Sequence, residues 1–191
     1  MTPPVGGSEI SRSGYSPIAV TSTSSAALAL RYGAVSTIAY TLPAPECIEG
    51  IKTLAGSPIR HALDCITSAD SAAICFSTIA RTGGRYACLE GFPAAWRTRR
   101  AIQVKEVMGF EGLGVHIDLG DTPYSREANP ELFAICAGWT EEMQWALDAA
   151  KLRCHPIREV PGQWEGILEG LELLQRGEVR GEKLVVRIAT V

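Results

Sequence analysis

No stretch of this 191-residue chain reaches the roughly 18 to 20 apolar residues that cross a bilayer, so a helical membrane span is not expected. Basic residues are no more plentiful than acidic ones. Eighteen Lys and Arg against 21 Asp and Glu leave a net charge of −3, without the basic surplus of a nucleic-acid footprint. The one basic cluster, Arg97-Thr98-Arg99-Arg100, is short and reads as a solvated face. Close cysteine pairs are missing too: the six cysteines, at 47, 65, 75, 88, 136 and 154, form no CxxC, so a structural zinc site is not expected. Most lie in apolar runs such as Ala62-Leu63-Asp64-Cys65-Ile66, which predicts reduced, buried thiols and a cytosolic compartment. The stretch from Met1 to Ser8 has no apolar h-region, so no secretory signal is visible. There is no GxSxG, and His61, His116 and His155 stand in unrelated contexts, read as structural or surface histidines.

What is present is ordinary for a globular chain: 46% apolar and 20% charged residues, enough for a sizeable core. Residues 1–14 carry no periodicity and are read as loosely ordered. A rhythm then begins. Ser16 to Val20 reads as a short buried strand, Ala26 to Tyr32 as a helix stopped by Gly33, and Val35 to Tyr40 as a second strand. A helix from about Glu46 to Leu54 precedes a strand from Ile59 to Ile66. Thr67-Ser68-Ala69-Asp70 then caps a helix running to Arg81, and Arg85 to Leu89 is a further strand. Strands separated by helices of about ten residues suggest βαβ units and an open, doubly wound parallel sheet. Beyond it come a strand from Ala101 to Val107, a glycine-rich passage from Gly109 to Gly114, and a long helix from about Asn129 to Arg153. Its periodic apolar residues include Trp139, expected in the core, while Trp145 is placed at a rim. An extended piece lies between Pro156 and Pro161, a helix spans Trp164 to Arg176, and Lys183 to Ile188 closes the chain as a strand.

Ligands of open α/β sheets bind beyond the carboxyl ends of the strands. That rule singles out Thr21 to Ser25, Tyr40, Ile66-Thr67 and Leu89-Glu90. A site for NAD is expected to offer an Asp or Glu to the ribose at the first of these tips. Here Ser22, Thr23, Ser24 and Ser25 stand instead, with Arg31 further along the helix, a set that suits a 2′-phosphate and hence NADPH. The alternative is that these hydroxyls only cap a helix, and the sequence leaves both readings open. A pyrophosphate site would need a strand, a Gly-rich turn and a helix ahead of this tip. Only Val5-Gly6-Gly7-Ser8 is there, too close to Ser13-Gly14-Tyr15 for a full helix, so the first βα unit is incomplete.

Several segments, taken together, resemble one family. Ser13-Gly14-Tyr15-Ser16-Pro17-Ile18-Ala19, Ala62-Leu63-Asp64-Cys65-Ile66-Thr67, Arg81-Thr82-Gly83-Gly84-Arg85-Tyr86 and Gly181-Glu182-Lys183-Leu184-Val185-Val186-Arg187 occur in the order and spacing of the fungal trans-acting enoyl reductases of polyketide synthase pathways. These belong to the zinc-free medium-chain dehydrogenases/reductases. The resemblance implies a Rossmann-like domain over 15–155, followed by 156–191 as the C-terminal segment of a catalytic domain whose N-terminal part has no counterpart here. It implies NADPH as cofactor and no metal. The adenosine phosphate would meet Ser22, Thr23, Ser24 and Ser25, the adenine end Tyr40, and the nicotinamide end the backbone of Leu89 and Glu90. Gly181 and Glu182 match a further cofactor contact. Glu111, Gly112, Leu113, Gly114 and Val115 match part of an acyl-substrate channel.

The implied activity is NADPH-dependent reduction of an α,β-unsaturated acyl thioester carried by a polyketide synthase. Leu30 departs from the family, which often has a lysine there for the 2′-phosphate. With the pyrophosphate unit incomplete, two other readings stand beside the reductase. One is a truncated relative working as a non-redox polyketide cyclase. The other is a binding or dimerisation module whose exposed apolar face pairs in a homodimer.

Overall fold

The computed structural model describes residues 14–188; the Val5-Gly6-Gly7-Ser8 turn and the rest of the N-terminal segment up to Ser13 lie outside the described residues. Helices and strands alternate as the apolar pattern predicts. Strand β1 (Ile18–Thr21) is followed by a 3-10 turn (Thr23–Ser25) and helix α1 (Ala26–Arg31), then by β2 (Ser36–Ala39) and α2 (Ala44–Ala55). Next come β3 (His61–Asp64), α3 (Ala69–Thr78), β4 (Gly84–Cys88) and β5 (Ile102–Glu106). A 3-10 turn (Gly109–Leu113) leads to α4 (Pro130–Asp148), and β6 (Ile157–Val160), α5 (Gln163–Gln175) and β7 (Lys183–Val186) close the chain. All the ladders between these strands are parallel, each formed across a crossover.

The architecture is α/β, and the expected incomplete first unit lies outside the described residues. Hydrogen bonding divides the strands into β1-β2, β3-β4-β5 and β6-β7. Among the described residues no ladder joins β1 to β3, so each presents an edge with no partner strand there. The two blocks are held together instead by α2 packing on α3.

The core lies between α3 and the β3-β4-β5 sheet. Ala72, Phe76 and Ile79 meet Tyr86, Cys88 and Ile102, with Phe92, Trp96 and Val104 packed around them. Phe76 stacks on Phe92 at 5.7 Å and meets Tyr86 edge-on at 5.2 Å. Each such buried side chain stabilises the fold by about 1.5–3 kcal/mol. Helix α3 begins where Ser68 accepts from the N–H of Ser71 and the Ser71 hydroxyl accepts from the N–H of Ser68, a reciprocal capping box. It ends at Ile79, where Arg99 donates to the carbonyls of Phe76 (2.8 Å), Ile79 (2.7 Å) and Ala80 (2.6 Å). The basic cluster is therefore only partly a solvated face. Arg97 also turns inward, to the carbonyls of Arg100 and Ile102. Of the thiols expected to be buried, Cys47 and Cys88 are, whereas Cys65 and Cys154 are exposed.

Helix α4 starts at Asn129, whose side chain accepts from the N–H of Leu132 at 2.9 Å, with Pro130 in the first turn. It ends earlier than its pattern predicts, because Ala150 adopts a left-handed backbone (φ +52°) and turns Lys151 and Leu152 back onto the Ala146 carbonyl. Only Ala146 of α4 is buried, and Trp139, expected in the core, is 46% exposed. Helix α5 lies against β7 through Gly166 and Gly170, where an added Cβ would meet Val186 at 3.2 Å and Leu184 at 3.6 Å.

Candidate functional site

The unpaired edges of β1 and β3 face one open trough of about 2060 Å³. One wall is Ile18 to Thr21, continuing into Ser22, Ser24, Ser25 and Tyr40. The other is Ile59 to Ile66 with Ser68 and Ser71, and Arg180 and Gly181 join the lining from the C-terminal part. Trp139 lines it as well, which accounts for its exposure.

The hydroxyl cluster at the tip of β1 is built locally. Ser22 caps the 3-10 turn by accepting from the N–H of Ser25 at 3.2 Å, and its hydroxyl lies 3.0 Å from those of both Ser24 and Ser25. The capping reading therefore holds for Ser22, while Ser24 and Ser25 still face the trough. Thr23 lies in the turn but outside the lining. Tyr40 follows β2, is 61% exposed, and its N–H bonds the Thr21 carbonyl at 3.1 Å, which ties the two tips together. Gly181 has a left-handed backbone (φ +68°), and a Cβ there would sit 3.1 Å from Leu28 of α1. That approach sets Gly181 against α1, and Arg180 and Gly181 share the trough lining with Ser22, Ser24 and Ser25. Arg60, Arg85, Lys105 and Arg180 are cationic residues of the lining that sequence reasoning missed; Arg180 stands far along the chain from Ser25, and no local signal links them. Arg31, the cation the sequence suggested, is not in the lining.

Glu182 is turned away into an ion pair with Arg158 at 3.5 Å. Leu89 and Glu90 follow β4 outside the trough lining. Leu89 gives its N–H to the Thr67 hydroxyl at 3.3 Å, and Glu90 accepts from the Tyr124 hydroxyl at 3.1 Å. That bond pushes the Tyr124 phenol up from its ordinary value.

Between the two tips stands Asp64, 4% exposed at the end of β3. One carboxylate oxygen accepts from the N–H groups of Ile66 (3.0 Å) and Thr67 (2.9 Å). The other accepts from the hydroxyls of Ser71 (2.7 Å) and Tyr86 (2.9 Å). Burial alone pushes this carboxyl up, but the four donors outweigh it and hold the pKa below the usual carboxylate range. Beside it, burial drives Cys75 up to about 12, so that thiol stays protonated.

The segment from Glu111 to Val115 is braced from below. Glu111 accepts from Arg126 at 3.2 Å and from the N–H of Met108 at 3.1 Å, and lies 3.7 Å from Lys105, so its carboxylate is engaged within the chain. Arg126 also pairs with Glu106 at 3.0 Å. The glycines have a packing reason. A Cβ on Gly112 would come within 2.9 Å of the Cys136 sulfur, and one on left-handed Gly114 (φ +72°) within 2.6 Å of Phe133. Leu113 and Val115 are both more than half exposed and lie outside the trough lining.

No protein-family model matches the chain. Among curated proteins it is 56% identical over 175 residues to trans-enoyl reductase calK of Penicillium decumbens, covering 92% of this chain and 47% of the relative. It is 54% identical over 178 residues to trans-enoyl reductase sthE of Phaeosphaeria nodorum, covering 93% and 48%. The chain is a relative of the trans-enoyl reductases. It spans about half the length of the trans-enoyl reductases it matches. Among solved structures it superposes on a putative zinc-dependent alcohol dehydrogenase from Rhizobium etli with a TM-score of 0.69 at 15% identity, covering 92% of this chain and 48% of that one. Mycobacterial Rv1454c complexed with NADPH matches at a TM-score of 0.53 and 18% identity, over 88% and 48%. At such identities the likeness is one of fold: the Rossmann-type α/β fold of medium-chain dehydrogenases.

Proposed function

We propose that the chain forms the nucleotide-binding half of an NADPH-dependent trans-acting enoyl reductase of fungal polyketide biosynthesis. In this reading residues 15–155 form the Rossmann-like cofactor-binding domain, and 156–191, the C-terminal segment of a catalytic domain, add Arg180 and Gly181 to the site. The observation that carries it is the convergence of Ser24, Ser25, Tyr40, Arg180 and Gly181 on one trough, in a chain with trans-enoyl reductase relatives.

The residues fit the adenosine half of the cofactor. Two hydroxyls and a guanidinium suit a 2′-phosphate, because Arg presents planar donors to phosphate oxygens. Tyr40 offers a ring face to adenine. When bound, NADPH supplies a hydride to the β-carbon of the α,β-unsaturated thioester, and a proton added at the α-carbon completes the reduction. The chain's share is to hold and orient: the strand tips grip the nucleotide, Leu89 and Glu90 border its nicotinamide end, and Leu113 and Val115 present an apolar surface to the acyl chain. A polyketide synthase presents that acyl group on its carrier, which places the pair in the cytoplasm.

Titrating the full chain with NADPH, followed by a crotonyl-thioester reduction assay, tests this reading. Saturable NADPH binding supports it. A chain that neither binds NADPH nor reduces the thioester removes it. One observation favours a second reading, a binding module: the unpaired edges of β1 and β3 are of the kind that take up an added strand. Sedimentation showing a monomer whose β1 and β3 amides exchange freely would count against that alternative.

A further inference from the structure

The C-terminal part reaches the trough through Arg180 and Gly181, and it rests there on α1. Leu28 in α1 and Tyr32 at its end stand one helical turn apart, with the N–H of Tyr32 on the Leu28 carbonyl at 3.0 Å, so the two share a face. A Cβ at Gly181 would sit 3.1 Å from the Leu28 side chain, and the Tyr32 ring stacks on His155 at 5.6 Å with 24° between the planes. The Tyr32 hydroxyl also donates to the carbonyl of Cys154. His155 and Gly181 are distant in the chain, yet each stands just ahead of a strand, and the parallel register of Ile157 with Lys183 sets those strand starts side by side. The Pro156 carbonyl accepts the N–H of Lys183 at 2.7 Å and closes the pair. One face of α1 therefore carries both leading ends of the β6-β7 ladder. The acidic neighbours of Arg180 are engaged elsewhere, Glu178 with Arg176 at 2.7 Å and Glu182 with Arg158 at 3.5 Å, so the backbone places its guanidinium.

We infer that Tyr32 is a positioning residue: it holds the β6-β7 ladder on α1 and so keeps Arg180 at the trough wall that Ser24 and Ser25 share. This rests on the cofactor reading above and deepens it. Tyr32 lies outside the trough lining, so it acts through Arg180 and not on the nucleotide. Because α1 follows directly on the hydroxyl turn, one short helix fixes both the hydroxyls and the cation that would meet a 2′-phosphate.

The test compares the full chain with Tyr32→Phe, Tyr32→Ala and His155→Ala, using NADPH and NADH as probes. Phenylalanine removes the hydroxyl and keeps the ring. His155→Ala opens the joint from its other side without touching α1, and carries the same test should Tyr32→Ala fail to fold. Without ligand, the proton resonances of His155, one of three histidines, report the stacking. They are expected to be displaced by the Tyr32 ring in the parent and by the Phe ring in Tyr32→Phe, and to take the free-histidine position in Tyr32→Ala, with His116 unchanged. The ratio of NADPH to NADH affinity is expected to fall about threefold in Tyr32→Phe and about tenfold in Tyr32→Ala, the effects of one hydrogen bond and of that bond with an aromatic contact. In an Arg180→Ala background, Tyr32→Ala is expected to change the ratio no further. An undisplaced His155 in the parent, an unchanged ratio in a folded alanine variant, or an equal fall in the Arg180→Ala background overturns the inference and leaves the cofactor reading in place. A parent that binds neither dinucleotide, or binds NADH as well as NADPH, overturns both.

Discussion

Replacing Asp64 by asparagine alters one atom of a buried side chain and tests how much the four-donor arrangement stabilises the fold. The amide can keep its oxygen toward the N–H groups of Ile66 and Thr67, which places its NH2 against the hydroxyls of Ser71 and Tyr86. Tyr86 can turn its hydroxyl to accept. Ser71 cannot, because its oxygen already receives the N–H of Ser68 at 2.9 Å and lies 3.2 Å from the Ser68 hydroxyl. The variant thus loses the charge on two backbone bonds and at least one hydroxyl bond outright. With charge-assisted bonds contributing about 1.5–3 kcal/mol and neutral ones about 0.5–1.5 kcal/mol, the expected loss is about 2–4 kcal/mol. That is a large part of the roughly 5–15 kcal/mol that holds a domain together. Urea unfolding followed by tryptophan fluorescence at pH 7 measures it, as a lower midpoint at unchanged slope.

The same comparison has a pH signature with a fixed sign. The native pKa of Asp64 lies below its unfolded value, so its contribution is complete above about pH 5, by the ordinary carboxylate range, and drains away as the pH falls through the native value. The difference in stability between the parent chain and Asp64→Asn must therefore narrow on acidification toward about pH 3. Equal midpoints at pH 7, or a difference that is constant or widens toward acid, would contradict this account of the carboxylate.

Other consequences are as specific. Arg180→Ala is expected to weaken NADPH binding by about tenfold or more with little effect on NADH, read by nucleotide fluorescence; equal losses for both would detach Arg180 from the 2′-phosphate. Gly114→Ala brings a Cβ against Phe133 in a left-handed backbone, so a loss of about 1–3 kcal/mol is expected in the same urea assay. Arg99→Ala leaves the carbonyls at the end of α3 without their guanidinium and should cost about 1–3 kcal/mol, with Arg99→Lys restoring only part. In native thiol labelling at pH 8, exposed Cys154 should react readily, whereas buried Cys47 and Cys88, and Cys75 with its pKa near 12, should react only after unfolding.

Much of this was legible residue by residue. The cap around Ser68, the helix stop at Gly33 and the alternation of strand and helix all rest on signals a few residues apart. The shortened α4 and the exposed Trp139 were not legible. A left-handed Ala150 carries no sequence mark, and an apolar stripe reads the same whether it faces a core or an open trough.

The order of elements and the parallel α/β class follow from local sequence alone, because helix and strand periods and cap residues act over one or two turns of chain. Other features exist only once the chain has packed: which strand edges stay unpaired among the described residues, that Arg180 rather than Arg31 lines the trough, that Gly112 and Gly114 yield to α4, and that Thr67 takes the N–H of Leu89. Those are contacts between atoms brought together from distant parts of the chain, and no local pattern encodes a distance that the packing of other elements sets.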